Sequence, residues 1–197
     1  MNEKNKTTSL IITGVGGQGT LLAGRVIGRA ALAKGFDVKI SEVHGMSQRG
    51  GNVITYARFS SDSINSPIVD VGCADIVLAF ELMEGFRALP YLKKGGKLIL
   101  NTQCISPMPV LTGAAKYNEN IIEKIKAKGV DVITTDAFQL AKDAGSPKAV
   151  NIALVGIFAA LTEIEKNFWI ESLKNSVPSA FLDVNVKAFD AGYGLVG

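Results

Sequence analysis

The sequence predicts an α/β protein whose sheet is doubly wound and mostly parallel, with helices on both faces and a helical C-terminal part. Short, continuously apolar stretches alternate with stretches whose apolar residues recur at helical spacing, a pattern typical of parallel strands covered on both faces. A glycine-rich turn, GVGGQG, joins the first apolar stretch to the first helical one. The 197 residues fall within the usual range of one domain, so we expect residues 1–197 to form a single Rossmann-like three-layer sandwich.

The elements follow from periodicity and from the residues that end each segment. Strands are predicted over residues 9–13, 37–43, 52–59, 74–80, 96–100 and 130–134. Helices are predicted over residues 17–34, 81–89, 118–128, from 135 or 136 onward, and over 150–164, 168–173 and 179–191. Gly35 ends the first helix and Pro90 the second, while Pro178 precedes the last.

Composition excludes several classes of protein. With 47% apolar and 20% charged residues the chain is too apolar for disorder, and its net charge of +3 is too small to indicate nucleic-acid binding. The first residues are polar with no apolar segment behind them, so we expect no signal peptide. The most apolar stretch, residues 152–161, is far shorter than the ~20 residues that cross a bilayer. We therefore expect a cytoplasmic protein that contacts no membrane.

The sequence contains few residues of the types that usually bind zinc or an iron–sulfur cluster. The two cysteines, Cys73 and Cys104, are far apart and belong to no CxxC motif, and His44 is the single histidine. A zinc site or an iron–sulfur cluster needs about four such ligands, so we expect this chain to hold no metal by itself. We interpret both cysteines as buried small hydrophobic residues.

The glycine-rich turn is the first candidate site, a phosphate- or anion-binding loop. Its residues are Gly14, Gly16, Gly17, Gln18 and Gly19. In a GxGxxG pattern the glycines permit a tight turn, a close approach to a ligand and close helix packing, while the helix N-terminus offers free N–H groups to an anion. Glu42, at the end of the second strand, stands where a dinucleotide site places its acid. The alternative is that these glycines serve only the strand-to-helix turn.

The second candidate site is the loop after the second strand. Its polar residues and glycines are His44, Ser47, Gln48, Arg49, Gly50 and Gly51. The loop leaves the carboxyl end of a strand, where open α/β sheets bind ligands, and Arg49 can hold a carboxylate or phosphate with two hydrogen bonds. Its alternative is an ordinary polar loop in which Arg49 pairs with a surface acid.

Asn151 and Gly156 interrupt the apolar segment AVNIALVGIF. A buried amide needs hydrogen-bond partners, and a glycine in mid-helix costs about 1 kcal/mol relative to alanine. We interpret the pair as a packing device, or as residues adjacent to a site. No residue of the chain is assigned a proton-transfer role.

Three stretches together carry a resemblance: GVGGQGTLLAGRVIGRAA, SEVHGMSQRGGNV, and NIALVGIFAA with a closing VKAFDAGY. They resemble the gamma-type component of 2-oxoacid:ferredoxin oxidoreductases, and within that family the small (beta) subunits of the enzymes that act on indolepyruvate. The resemblance covers nearly the whole chain. The GGQG turn alone is shared by many folds, but its combination with HGMSQRGG is specific.

The resemblance implies a component, inactive alone, of an enzyme that oxidatively decarboxylates an aryl pyruvate or related 2-oxo acid to an acyl-CoA and passes electrons to ferredoxin. Thiamine diphosphate and the iron–sulfur clusters would be held by a larger partner subunit, and coenzyme A would bind to the assembled enzyme. The loop from His44 to Gly51 would lie near the shared site. An isolated subunit can also pair with itself through the apolar face meant for its partner.

Two other functions stay open from the sequence. GxGxxG with Glu42 is compatible with a stand-alone nucleotide-binding protein or an NAD(P)-dependent oxidoreductase. The chain can also be a scaffold that supports a complex without touching substrate. For members of the resembled family the glycine loop does not bind a nicotinamide, so the resemblance removes support from Glu42 as a ribose ligand.

Overall fold

A computed structural model describes residues 7–44 and 51–196. Six strands form one sheet: β1 (Thr8–Val15), β2 (Asp37–His44), β3 (Asn52–Ser60), β4 (Ala74–Ala79), β5 (Leu92–Asn101) and β6 (Asp131–Thr135). The helices are α1 (Thr20–Ala33), α2 (Leu82–Ala88), α3 (Met108–Leu111), α4 (Ile121–Lys126), α5 (Ala137–Asp143), α6 (Val150–Ala160), α7 (Lys166–Lys174) and α8 (Leu182–Tyr193). Short 3-10 turns precede β5, α6 and α8.

The sheet order is β2-β3-β1-β4-β5-β6. β1, β4, β5 and β6 are parallel neighbours, whereas β3 is antiparallel to both β1 and β2. The prediction of a doubly wound, mostly parallel sheet is confirmed. β3 is the antiparallel exception, and its alternating apolar and polar residues are typical of an antiparallel strand.

Helices cover both faces of the sheet, because successive strand residues point to opposite sides. Leu10 and Ile12 pack on one face with α1, α6, α7 and α8, and Ile11 packs on the other with α2 and α4. The first cluster surrounds Trp169, which is fully buried between Phe158 and Phe189. The helical C-terminal part therefore completes one face of the sandwich.

Several predicted boundaries move for local reasons. α1 begins at Thr20 instead of residue 17, because Gly17 and Gly19 have φ of 101° and 81°, outside the helical range. β5 begins at Leu92 instead of residue 96, and α6 ends at Ala160 instead of 164. The helix predicted over 118–128 is confined to α4, behind Asn120, whose φ is also positive at 56°.

The interpretation of the cysteines as buried is wrong. Cys73 and Cys104 are both exposed. Cys73 follows a turn in which its own N–H donates to the carbonyl of Asp70, and Cys104 lies in the segment after β5. Turns and connections run over the surface, and that overrides the apolar preference of a thiol.

Candidate functional site

The candidate site lies at the carboxyl ends of β1, β2 and β4, with the start of β3 beside them. From β1 the chain crosses through α1 to β2 on one side, and the later strands β4, β5 and β6 extend on the other. β1 and β4 therefore flank the point where the winding reverses, which is where open α/β sheets bind ligands.

The glycine loop is built tightly around backbone contacts. The N–H of Gly16 donates to the carbonyl of Gly51 at 2.9 Å, which joins the loop to the residue just before β3. Gly19 has a φ of 81°, which favours glycine, and a Cβ atom there would lie 2.6 Å from Nδ2 of Asn151 and would displace that amide. Asn151 in turn donates through Nδ2 to the carbonyl of Gly19 at 3.3 Å. The start of α6 thus supports the start of α1.

Gln18 points back into the crevice between β1 and β4. Its Oε1 accepts from the N–H of Val15 at 2.7 Å, and its Nε2 donates to the carbonyl of Phe80 at 3.0 Å and to Oε1 of Gln103 at 3.1 Å. Gly14 permits this arrangement, since a Cβ there would lie 2.8 Å from Oε1 of Gln18. Both ends of the Gln18 amide are engaged within the chain, so it acts as a brace across the crevice.

Beside the glycine loop is an open cavity of about 430 Å³. It is lined by Gly16, Gly17, Gly19, Thr20, Leu21, Glu42, His44 and Val53. Leu21 and Val53 give it an apolar side, while Glu42 adds a carboxylate whose Oε2 accepts from the hydroxyl of Thr55 at 3.2 Å. The size suits part of a small organic ligand. The walls can donate hydrogen bonds from the start of α1 and accept them at Glu42.

The structure brings together several of the residues singled out from the sequence. Gly16, Gly17, Gly19 and His44 line the same cavity, and Gly51 is bonded to Gly16. Ser47, Gln48, Arg49 and Gly50 lie outside the described residues. Gly14 and Gln18 are adjacent but line the crevice instead of the cavity.

Glu42 occupies a different place from the acid of a dinucleotide-binding fold. β3 lies between β1 and β2, so Glu42 is two strands away from the strand that leads into the glycine loop. Its negative charge in the cavity opposes a phosphate at the same position. Two N–H groups of the loop, those of Gly16 and Gln18, are also bonded to Gly51 and Val15 within the chain.

Gly156 lies away from this edge. A Cβ there would lie 2.1 Å from the carbonyl oxygen of Phe189, and Gly192 on α8 meets the carbonyl of Ala153 in the same way. The backbones of α6 and α8 therefore touch, which accounts for Gly156 in the middle of α6 and for Gly192 in the last turn of α8.

A set of buried and half-buried polar side chains at the same edge was not anticipated from the sequence. Its members are Glu81, Glu84, Asn101, Gln103 and Tyr117. Glu81 is 1% exposed and accepts from the N–H groups of Glu84 (2.9 Å) and Ile105 (3.0 Å) and from the hydroxyl of Tyr117. The sequence does mark two of these residues. Glu81 comes directly after a continuously apolar strand segment, and Asn101 ends another.

Asn101 ties the strands of this edge together. Its Nδ2 donates to the carbonyl of Phe80 at 2.9 Å, and its Oδ1 accepts from the N–H of Ala137 at 3.1 Å. Because Phe80 also accepts from Gln18, one carbonyl links the glycine loop, β4, β5 and the start of α5. Every polar group of this buried side chain is therefore matched to a partner.

Burial raises the pKa of two groups here. Desolvation raises the pKa of the Glu84 carboxyl, and Arg87 and the hydrogen bond from Asn52 act in the opposite direction. Burial, followed by the hydrogen bond to Glu81, raises the pKa of the Tyr117 hydroxyl. Tyr117 is therefore a neutral donor to the Glu81 carboxylate.

Among the described residues 7–44 and 51–196 the structure contains neither a metal-binding cluster nor a membrane-spanning helix. Within them, no cluster of three or more His, Cys, Asp or Glu side chains is arranged to hold a metal ion. None of their helices combines the length and apolar character required to cross a membrane.

Comparison with known families shows to which family the chain belongs. Residues 9–195 match the family described as pyruvate ferredoxin/flavodoxin oxidoreductase. The chain belongs to this family. The matched region contains the glycine loop, the residues that flank the loop 44–51 and the C-terminal helices.

Relatives within the family include indolepyruvate oxidoreductase subunits. Subunit IorB from Pyrococcus horikoshii is 41% identical over 197 residues, with 95% of each chain covered. Its counterpart from Thermococcus kodakarensis is 40% identical over 192 residues, again with 95% of each covered. A ketoisovalerate oxidoreductase subunit, VorA, from Methanothermobacter marburgensis is 27% identical, and this chain covers 35% of its length.

Solved structures share the fold. A keto/oxoacid ferredoxin oxidoreductase gamma subunit from Geobacter sulfurreducens has a TM-score of 0.71 at 24% identity, with 96% of this chain and 98% of that one covered. A 2-oxoglutarate:ferredoxin oxidoreductase from Magnetococcus marinus has a TM-score of 0.74 at 21% identity, and this chain covers 31% of that chain. In these two relatives the fold occurs once as a separate subunit and once within a longer chain.

Proposed function

We propose that this chain is the small subunit of a 2-oxoacid:ferredoxin oxidoreductase that acts on indolepyruvate or a related aryl pyruvate. The observation that carries the proposal is the family match over residues 9–195, together with 41% identity to an indolepyruvate oxidoreductase subunit across nearly the full length of both chains. The reaction is the oxidative decarboxylation of the oxo acid to an acyl-CoA, with electrons passed to ferredoxin.

The redox and thiamine chemistry belongs to a larger partner subunit in this proposal. The chain has two cysteines, half of the four thiolates that a cluster requires, and they lie at Cys73 and Cys104 in different connections. Thiamine diphosphate would supply the carbon–carbon bond cleavage when bound to the partner. The length of the relatives that contain this fold within a longer chain supports such a partnership.

This chain's own contribution is to shape the entry to the shared site. The cavity beside the glycine loop has an apolar side at Leu21 and Val53 and hydrogen-bonding groups at Glu42 and the start of α1. The loop from His44 to Gly51, with Ser47, Gln48, Arg49 and Gly50, borders the oxo acid or coenzyme A. Gly14, Gly16, Gly17, Gln18 and Gly19 hold that border in place, and Asn151 supports it from α6.

The test is reconstitution under anaerobic conditions. The tagged chain is recovered from its native host with whatever accompanies it, and viologen reduction is measured with coenzyme A and indolepyruvate, pyruvate or 2-oxoglutarate. We expect a thiamine-containing, iron–sulfur partner and reduction driven most strongly by indolepyruvate. The partner alone should be inactive, and the chain added back should restore the rate.

Two results would contradict the proposal. A partner that is fully active without this chain would assign it a scaffolding role. Recovery without a partner, combined with a thermal shift of the isolated chain by NAD(H), NADP(H) or FAD, would favour a stand-alone nucleotide-binding protein instead.

A further inference from the structure

Glu84, in the first turn of α2, is a buried acid that the proposed function does not use. It is 5% exposed, although a carboxylate loses much of its hydration when buried. α2 packs closely on the sheet beside this residue, since a Cβ at Gly85 would overlap the side chains of Ala79 and Leu100. A charged group in such a place requires dedicated partners.

The two oxygens of Glu84 have different partners. Oε1 accepts from an N–H of Arg87 at 3.0 Å, one turn along α2, and Oε2 accepts from Nδ2 of Asn52. Asn52 is the first residue of β3 and follows Gly51 directly. The carbonyl of Gly51 accepts from Gly16 of the glycine loop at 2.9 Å. The point where the chain enters β3 is therefore held from two sides, by Gly16 and by Glu84.

We infer that Glu84 is a positioning residue, which fixes Asn52 and through it the carboxyl end of the loop 44–51 against the glycine loop. This inference rests on the proposed function, in which that loop borders the substrate. Glu84 touches no reacting atom in this arrangement. Its effect is on how well substrate binds, because a displaced loop end leaves the border of the site in the wrong place.

The groups around Glu84 define what protonation does. Arg87 is the facing cation, Glu81 is the neighbouring acid, and Asn52 is the facing amide of β3. Tyr117, from the segment before α4, reaches Glu81 instead. α4 packs against this region through the apolar Ile121 and Ile125. When Glu84 takes up a proton it loses its charge toward Arg87 and one acceptor, so the hold on Asn52 weakens as the pH falls.

The first experiment measures KM and kcat of the assembled enzyme for indolepyruvate across the acid range. In Glu84→Gln the NH₂ group of the new amide must face a donor, either Asn52 or Arg87, so one of the two hydrogen bonds is lost. We therefore expect KM to rise roughly five- to tenfold while kcat changes less. The wild-type enzyme should lose kcat/KM as the pH falls, and Glu84→Gln should lack that part of the profile. Glu123→Gln, an exposed acid on α4, is the matched control and should leave both unchanged.

The second experiment does not depend on activity. In the isotope-labelled full chain, the side-chain amide resonances of Asn52 should follow a titration centred above the ordinary glutamate value of 4.5, and Glu84→Gln should abolish it. Asn52→Ala combined with Glu84→Gln should raise KM no further than either alone, since both break one contact.

The outcomes separate the two claims. An Asn52 amide that does not titrate, or an active wild-type complex whose acid profile survives in Glu84→Gln, overturns the positioning role and leaves the proposed function intact. A wild-type complex with no oxo-acid-dependent reduction rejects the proposed function itself, whatever Asn52 does.

Discussion

At the scale of single residues, the molecule depends on a few glycines at which any side chain would strain the fold. Gly156 is the clearest case, because the atoms that a Cβ would meet are the backbone carbonyl of Phe189 at 2.1 Å and the backbone N–H of Tyr193 at 2.9 Å. Backbone atoms within a helix cannot move aside as a side chain can. The close contact of α6 and α8 is therefore fixed by the absence of a side chain.

Gly156→Ala should destabilise the protein by about 1–3 kcal/mol, since the two helices must separate to admit the methyl group. Gly24 on α1 provides the control, because a Cβ there would lie 3.4 Å from Cγ2 of Thr55, an ordinary contact. Gly24→Ala should be neutral or stabilising by up to about 1 kcal/mol. Chemical denaturation of both variants measures the difference, and equal stabilities would refute the assigned contact.

Arg49 is the residue for which the sequence makes the sharpest functional prediction. As a planar, permanently charged group it can hold a carboxylate or phosphate with two hydrogen bonds. Arg49→Ala should lower turnover of the assembled enzyme by about tenfold or more while leaving the unfolding transition almost unchanged. Arg25→Ala, at an exposed position of α1, is the control. Wild-type kinetics in Arg49→Ala would exclude a role for this side chain at the site.

At the scale of secondary-structure elements, the starts of helices organise the carboxyl edge. α5 begins at a capped turn in which Oδ1 of Asp136 accepts from the N–H of Gln139 at 3.0 Å. The next residue, Ala137, donates its N–H to Oδ1 of the buried Asn101. One helix start is thus satisfied partly by its own cap and partly by β5, which couples α5 to the sheet.

Asp136→Ala should remove the cap and cost about 1 kcal/mol. The melting temperature should fall by about 2–4 °C for a chain of this size. Asp136→Asn is the matched variant, because asparagine caps a helix about as well as aspartate. Calorimetry that gives the same loss for both substitutions would show that charge, and not the capping hydrogen bond, stabilises this helix.

At the scale of the whole molecule, the sheet order places the glycine loop in the centre of one edge. Leu21, in the first turn of α1, is 55% exposed at this edge beside the cavity, and Leu32, in the last turn, is 57% exposed at the opposite end of the same helix. If the larger partner docks over the carboxyl edge, Leu21 becomes buried in the complex while Leu32 stays exposed, although both are exposed in the free chain.

Leu21→Glu should therefore reduce recovery of the larger partner, while Leu32→Glu should not. Both positions are exposed, and an acid in the first turn of a helix is favourable, so Leu21→Glu should fold normally. Quantitative pull-down with the melting temperature of each variant measures the effect. Equal recovery for the two variants would place the interface elsewhere.

Much of the fold could be predicted because it depends on local patterns of apolar and polar residues. The apolar segments 9–13 and 74–80 and the helical spacing over residues 17–34 predicted β1, β4 and α1, which differ from them only at their ends. The glycine-rich turn was placed correctly between β1 and α1. Its resemblance to a family, carried by GVGGQG and HGMSQRGG, is confirmed by the family match.

The sequence by itself thus determined the fold class, the family and the glycine-rich turn, since these depend on periodicity and on short runs of residues. Only the tertiary structure decided that β3 lies between β1 and β2, that Gln18 braces the crevice at Phe80, and that Glu84 reaches Asn52. Phe80 is 62 residues from Gln18 along the chain, and Asn52 is 32 residues from Glu84. Contacts between residues so far apart in the sequence depend on how whole elements pack, so they cannot be predicted from a local pattern of residues.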